Sequence, residues 1–248
     1  MNDLTGRRIL VTGAASGIGA ATARRCAAAG AIVIAADRVD PKDTSGLAEG
    51  HEHVVLDVAD AEQVAEVVAG LGQIDGLVNA AGISIPGGIV QLDTAAWQKI
   101  LDVNLTGTML VCKQVTEHLL SSRRQGSIVN VSSIYGLTGG SGNVSYNVSK
   151  SGVWQLTRCM AADLGGYGIR VNAVAPGYIE TPMTDILKNA GPFRDQFIAM
   201  HLLKRPGKSE EVAAAINFLL SDDAAYITGT NLPVDGGFTA AHVPNVGM

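Results

Sequence analysis

Short aliphatic runs alternate with longer amphipathic segments along most of this chain. The runs are RILVT (8–12), AIVIAAD (31–37), HVVLD (53–57), IDGLVNAAG (74–82), SIVNVSS (127–133) and IRVNAVAP (169–176). Strands this uniformly apolar need cover on both faces, as in a parallel sheet. Between them, residues 17–29, 60–71, 93–120, 145–165 and 209–221 carry helical patterns. Asp60, with Gln63 three residues on, predicts a capping box at the start of the helix over 60–71. Strand and helix in alternation predict a doubly wound α/β fold of the Rossmann type, with helices on both faces of the sheet. Residues 38–52 are polar and leave room for only a brief helix. From Tyr178 to Lys208 the rhythm breaks, punctuated by Pro182, Gly191, Pro192, Pro206 and Gly207. No repeat, low-complexity tract or linker interrupts the pattern, so residues 1–248 read as one domain.

Composition narrows the function classes. Hydrophobic residues make up 47% and charged residues 17%, and the net charge is -5. That balance fits a compact soluble chain and lacks the basic footprint of a nucleic-acid binder. No apolar run reaches the roughly 18 residues a membrane span needs. Cys26, Cys112 and Cys159 fall in helical patterns without C-x-x-C spacing, and read as free, mostly buried thiols. The first residues lead straight into a strand without a signal peptide, and a cytoplasmic protein is the expectation.

TGAASGIG, Thr12 to Gly19, links the first strand to the first helix. Gly13, Gly17 and Gly19 let the backbone turn tightly beside a pyrophosphate, which free N–H groups of the helix start attract; Ser16 and Ile18 fill the turn between them. Asp37 ends the second strand, 18 residues beyond Gly19, placed to accept from an adenosine ribose and to repel a 2′-phosphate. Ser16 offers no basic group before the second glycine. Arg38 could pair with a 2′-phosphate, but reads better as a solvated side chain over the adenine face. NAD is therefore expected over NADP. Asp57 and Val58 end the third strand, where an adenine edge would lie; Asp57 reads equally as a turn residue. NAAG, with Asn79, Ala80 and Gly82, closes the fourth strand at the switch point where ligands of such sheets bind.

YNVSK places Tyr146 and Lys150 one helical turn apart on a shared face. Ser133 stands at the carboxyl end of a strand thirteen residues earlier, and Asn104 lies in DVNLT of the preceding helix. Adjacent strand residues face opposite ways, so only one of Ser132 and Ser133 can meet a ligand.

With these motifs in order, the chain resembles the classical short-chain dehydrogenases/reductases nearly end to end. The carriers are TGAASGIG, NAAG, the set Asn104, Ser133, Tyr146 and Lys150, and PGYIET (Pro176 to Thr181). Ala80 departs from the family, which often has a second asparagine there. The resemblance implies a mostly parallel seven-stranded sheet and a small substrate lid after the sixth strand, at about 178–208. It implies Tyr146 as general acid/base, Lys150 as its pKa tuner and a ribose binder, Ser133 as donor to the substrate oxygen, and Asn104 as holder of a relay water. Pro176, Gly177, Ile179 and Thr181 would border the nicotinamide. An unperturbed tyrosine titrates near 10, and an ammonium beside it, together with the positive nicotinamide of an oxidised cofactor, is expected to favour its phenolate and lower that value.

Ile83, Ser84, Ile85, Ile134, Tyr135, Asn143, Tyr178 and Met183 are expected around a substrate pocket. Few charges occur there, which suits a neutral or apolar alcohol or ketone. The lid's apolar residues, Met183, Ile186, Leu187, Phe193, Phe197 and Met200, read mostly as docking the lid onto the core. The expected function is an NAD-dependent interconversion of secondary alcohol and ketone. An NADP-dependent 3-oxoacyl carrier-protein reductase is the alternative within the family, with Arg123 and Arg124 as the contact to an acidic partner. A dinucleotide-binding regulator is the alternative outside enzymes, though it would be expected to lack the tyrosine or lysine. A serine hydrolase would need a G-x-S-x-G elbow, and GGSG (139–142) lacks its spacing. His51 and His53 lack a third metal ligand, and His118 and His201 read as surface or interface residues. By resemblance the chain is a homotetramer, pairing through faces at 105–120 and 148–164, through 209–221 with LPVDGG, and through the apolar tail.

Overall fold

The computed structural model describes residues 3–40, 47 and 50–241. His242, most of the apolar tail and most of the polar stretch between the second and third strands lie outside them. Seven parallel strands form one sheet: β1 (Arg8–Thr12), β2 (Ile32–Asp37), β3 (Glu52–Val55), β4 (Gly76–Asn79), β5 (Gly126–Val131), β6 (Ile169–Pro176) and, last in the chain, β9 (Asn231–Val234). Their order across the sheet is β3-β2-β1-β4-β5-β6-β9, so the chain reverses its direction of growth between β1 and β4.

Alternation within each strand splits the core in two. Ile9 and Val11 of β1 join Val33 and Ala35 of β2 under α1 (Gly17–Ala28) and α7 (Ser209–Leu220). Leu10, Ile34 and Ala36 face the other way, under α2 (Ala61–Gly70), α4 (Thr108–Ser121) and α5 (Val144–Leu164). Both faces are covered, which is why the strands read as continuous apolar runs.

The helix expected over 93–120 is interrupted. α3 (Thr94–Leu101) gives way to a π-helical turn over Asp102–Gly107 before α4 begins. Such a turn inserts extra backbone into a helix and frequently marks a functional site; here it carries Asn104 inward. The capping box also differs from expectation. Asp60 accepts from Glu62 N and Gln63 N, but the Gln63 amide reaches the backbone N–H of Asp57 at 2.6 Å. It thereby fastens the turn after β3 to α2.

The segment after β6 contains the two-residue strands β7 (Ile179–Glu180) and β8 (Gly207–Lys208), which pair with each other, a 3-10 helix over Pro182–Asn189, and α6 (Pro192–Ala199). Docking of its apolar face onto the core is not what the structure has. No residue of the 3-10 helix or of α6 is buried, and Ile186, Phe193 and Met200 are exposed. Phe197 packs against Tyr135, Tyr178, His201 and Phe238, and Leu187 and Ile198 are half-buried like it.

Candidate active site

A cavity of about 820 Å³ opens above the carboxyl ends of the strands, at the reversal between β1 and β4. Its two ends are built differently.

At one end the wall is backbone. Gly13 and Gly17 hold positive φ angles of 69° and 52°, which side-chain-bearing residues rarely adopt. Gly19 is required by contact: a Cβ there would fall 2.0 Å from the Gly13 carbonyl oxygen. Ser16, at the N-cap of α1, makes no capping hydrogen bond with its side chain, and the first turn carries no acidic residue. By contrast, Asp60 caps α2 and Asp93 caps α3. The α1 amides thus face the cavity without a protein acceptor, a ready anion site. The residues present fit a dinucleotide pyrophosphate.

Asp37 lines the cavity next to this turn, its carboxylate accepting from Ala15 N at 3.0 Å. Arg38 and Val58 border it as well. Asp57 lines the cavity, and it accepts from Ala59 N at 2.9 Å as a turn residue. Ala80 and Gly82 line the floor, but Asn79 does not. Its amide is buried beneath, donating to Asn130 Oδ1 at 2.9 Å and to Cys112 Sγ at 3.1 Å. The reason is strand alternation: Asn79 is still within β4 and faces the core.

At the other end the wall is side chains from separate elements. Ser133 follows β5, Tyr146 and Lys150 stand on α5, and all three line the cavity. Ser133 Oγ accepts from Tyr135 N at 3.2 Å, and its hydroxyl is hydrogen-bonded to the Tyr146 phenol. Lys150 Nζ donates to Val131 O at 2.8 Å and lies 5.7 Å from the centre of the Tyr146 ring. Ser132 takes the opposite orientation, donating to Lys150 O at 3.0 Å. Asn104, fully buried, is a clamp: its amide accepts from Ile83 N at 2.8 Å and donates to Ile83 O and to Ser149 Oγ. It does not line the cavity itself; Ile83 does.

The electrostatics correct one expectation. Among the protein's own groups the Tyr146 phenol is pushed up, not down, because burial outweighs the hydrogen bond from Ser133, and Tyr135 adds a smaller upward push. Burial also lowers Lys150 to about 8. Both shifts have one cause: burial, which penalises either charge standing alone; Lys150 is buried and Tyr146 half-buried in the cavity wall.

Past the catalytic end, Pro176, Gly177, Ile179, Thr181 and Met183 complete the lining, with Pro182 and Thr184. Thr181 also approaches the glycine turn, since a Cβ on Gly17 would meet its Cγ2 at 3.3 Å. Of the expected substrate-pocket residues, Ile83 and Met183 line this cavity. Ile134 is core, 1% exposed. Asn143 donates to Ser84 Oγ at 2.8 Å, tying the loop after β4 to the start of α5. Tyr135 and Tyr178 pack on Phe197. The lining also contains Ala95, Gln98 and Lys99 of α3, which no sequence motif marked, and Asp102, the first residue of DVNLT, on the π turn.

His201 is not a surface residue: it is 2% exposed, held between Tyr178 N and Phe197 O. His51 accepts from Val33 N at 3.2 Å, and among the described residues no group of three or more His, Cys, Asp or Glu could hold a metal. Cys26 and Cys112 are buried, each pushed up to about 12, whereas Cys159 is exposed. No helix among the described residues is long and apolar enough to cross a membrane.

Residues 13–239 match the family described as enoyl-(acyl carrier protein) reductase. The chain is 43% identical to a 3-oxoacyl-(acyl-carrier-protein) reductase of Thermotoga maritima, with 94% of this chain and 98% of the relative covered. It is 41% identical to a meso-2,3-butanediol dehydrogenase of Serratia marcescens, with 94% of each covered. Among solved structures, a gluconate 5-dehydrogenase of Burkholderia cenocepacia in complex with NADP and tartrate superposes with a TM-score of 0.91 at 34% identity, covering 96% of this chain and 97% of that one. An anion-ready glycine turn and a Ser-Tyr-Lys cluster share one cavity in a seven-stranded parallel sheet, and the likeness runs almost end to end. The chain belongs to the short-chain dehydrogenase/reductase family of oxidoreductases.

Proposed function

We propose that this protein interconverts a secondary alcohol and a ketone, using NAD in preference to NADP. The observation that carries the reading is the convergence of Ser133, Tyr146 and Lys150 at one end of a cavity whose other end is a helix start without a side-chain cap. A bound nicotinamide supplies the hydride donor or acceptor. The α1 amides hold its pyrophosphate, and Asp37 accepts from the adenosine ribose. Ser133 donates a hydrogen bond to the substrate oxygen as charge develops there. The Tyr146 hydroxyl gives its proton to that oxygen in reduction and takes one from it in oxidation. Lys150, charged below about pH 8, offsets the phenolate that forms transiently. Asn104 fixes Ile83, and with it the cavity floor beside Lys150.

The NAD preference rests on Asp37, which lines the cavity beside the glycine turn and whose carboxylate would repel a 2′-phosphate held there. It points to oxidation as the working direction, since cellular NAD is mostly kept oxidised. Met183 in the lining and the exposed apolar lid residues favour a neutral or apolar substrate. A second reading, an NADP-dependent 3-oxoacyl carrier-protein reductase, draws on the Thermotoga relative and the NADP-bound neighbour. Against it, Arg124 pairs with Asp75 at 2.5 Å, an ion pair that an acidic partner would have to compete with.

A panel of alcohols and ketones, followed by NADH absorbance, tests the reaction, and parallel binding of NADH and NADPH tests the cofactor. Turnover with tighter NADH binding is expected. Tighter NADPH binding would favour the second reading, and binding without turnover across the panel would favour a regulatory protein. We also propose a homotetramer, supported by Met109, Leu120 and Val148 standing exposed on α4 and α5. Light scattering at micromolar protein should report four copies.

A further inference from the structure

His201 is a buried titratable group with no part in the chemistry above. It follows the C-cap of α6, and both ring nitrogens are used. Nε2 lies 3.1 Å from Tyr178 N, and Nδ1 lies 2.9 Å from Phe197 O. A backbone N–H can only donate, so Nε2 accepts and the ring proton sits on Nδ1, where it donates to the carbonyl. The ring stands edge-on to Phe197, with centroids 5.3 Å apart, and 5.1 Å from that of Phe238. It also presses on the turn below: a Cβ on Gly177 would come within 3.0 Å of Nε2.

We propose that neutral His201 is a positioning residue that pins the lid to the Pro176–Gly177–Tyr178 turn, and that protonating it unfastens the lid. The link to catalysis rests on the dinucleotide reading, because Pro176, Gly177, Ile179 and Thr181 line that cavity. An imidazolium would aim Nε2–H at Tyr178 N–H, two donors with no acceptor between them. The charged groups around the ring are already engaged. Asp235, Arg205 and Glu211 share a small cavity of about 130 Å³ beside it. Asp235 accepts from Gly237 N, Thr239 N and Thr239 Oγ1. Arg205 and Glu211 form a two-pronged pair, and Lys204 donates to Ala199 O. Beside it, Leu203 N donates to Gly236 O, Gly207 N donates to Tyr178 O, and Phe197 packs among the aromatic rings.

The test is limited proteolysis of the lid in the full chain, from about pH 8 to about pH 5, the span in which imidazoles titrate. An unfolded control corrects for protease activity, and NADH affinity is measured in parallel. Glutamine can place an acceptor where Nε2 stands, asparagine reaches only the Nδ1 position, and phenylalanine keeps the ring without either nitrogen. Wild type should become about tenfold more cleavable as pH falls, the order expected for one buried hydrogen bond lost. H201Q should stay protected with a flat pH profile. H201N and H201F should be open already at pH 8, with NADH affinity lowered about tenfold and turnover at saturation little changed, as for a lost binding contact. A lid equally protected in wild type and H201F at pH 8 would overturn the proposal. So would wild-type cleavage that ignores pH; this wild-type readout, together with H201Q, decides the matter even if H201F fails to fold. If wild type binds no dinucleotide, the functional reading falls, while the proteolysis still decides whether His201 holds the lid.

Discussion

The two ends of the cavity solve opposite problems. The glycine-turn end leaves backbone donors unpaired and open, so an anion can take them; its cost is conformational, met by Gly13, Gly17 and Gly19. The Ser-Tyr-Lys end buries an ammonium and half-buries a phenol, and its cost is electrostatic: Tyr146 is raised and Lys150 lowered by burial. One end binds with groups that need no tuning. The other holds groups whose protonation is poised by burial.

That contrast can be broken at either end. Tyr146→Phe should have the largest effect, lowering turnover by about 10²–10⁴, the usual worth of general acid–base help, with NADH affinity nearly unchanged. Near-full turnover at neutral pH would remove Tyr146 from the mechanism. Lys150→Met should also abolish most turnover, yet it should not destabilise the fold at neutral pH, because it removes a buried charge. The sign follows from linkage. Burial lowers Lys150 to about 8 from an ordinary 10.5, so above about pH 8 the unfolded chain holds more protons than the folded one. Wild type should therefore gain stability between about pH 8 and about pH 9.5, and Lys150→Met should lack that gain in a denaturant titration.

Gly19→Ala strikes the backbone end. The added Cβ would meet the Gly13 carbonyl at 2.0 Å, and overpacking of about 1–3 kcal/mol should weaken dinucleotide binding about tenfold to a hundredfold. Asp37→Ala should be mildest, eroding the NAD preference about tenfold while leaving turnover intact, as loss of one carboxylate contact implies. Unchanged selectivity would show that Asp37 does not read the ribose.

Much of this molecule was legible before its structure. The run IRVNAVAP coincides with β6, and the pattern over 17–29 ends one residue beyond α1. Such segments are readable because their periodicity is local and both sheet faces are dry. The glycine turn was readable for the same reason: seven consecutive residues, 13–19, carry its geometry. The lid was less so. Its apolar stripe suggested docking, but in the described structure Ile186, Phe193 and Met200 are exposed, and a hydrophobic pattern cannot say what an element faces.

The sequence by itself determined the alternation of strand and helix, the glycine turn, and which side chains bear chemistry. Those properties depend on residues close together in the chain. Tertiary structure decided that Asn104 rides a π-helical turn to clamp Ile83, that Asn79 faces the core, that His201 is buried, and that Tyr146 and Lys150 share one cavity wall. Each of these depends on which distant segment packs alongside, and burial and pKa are set by those neighbours rather than by residue type.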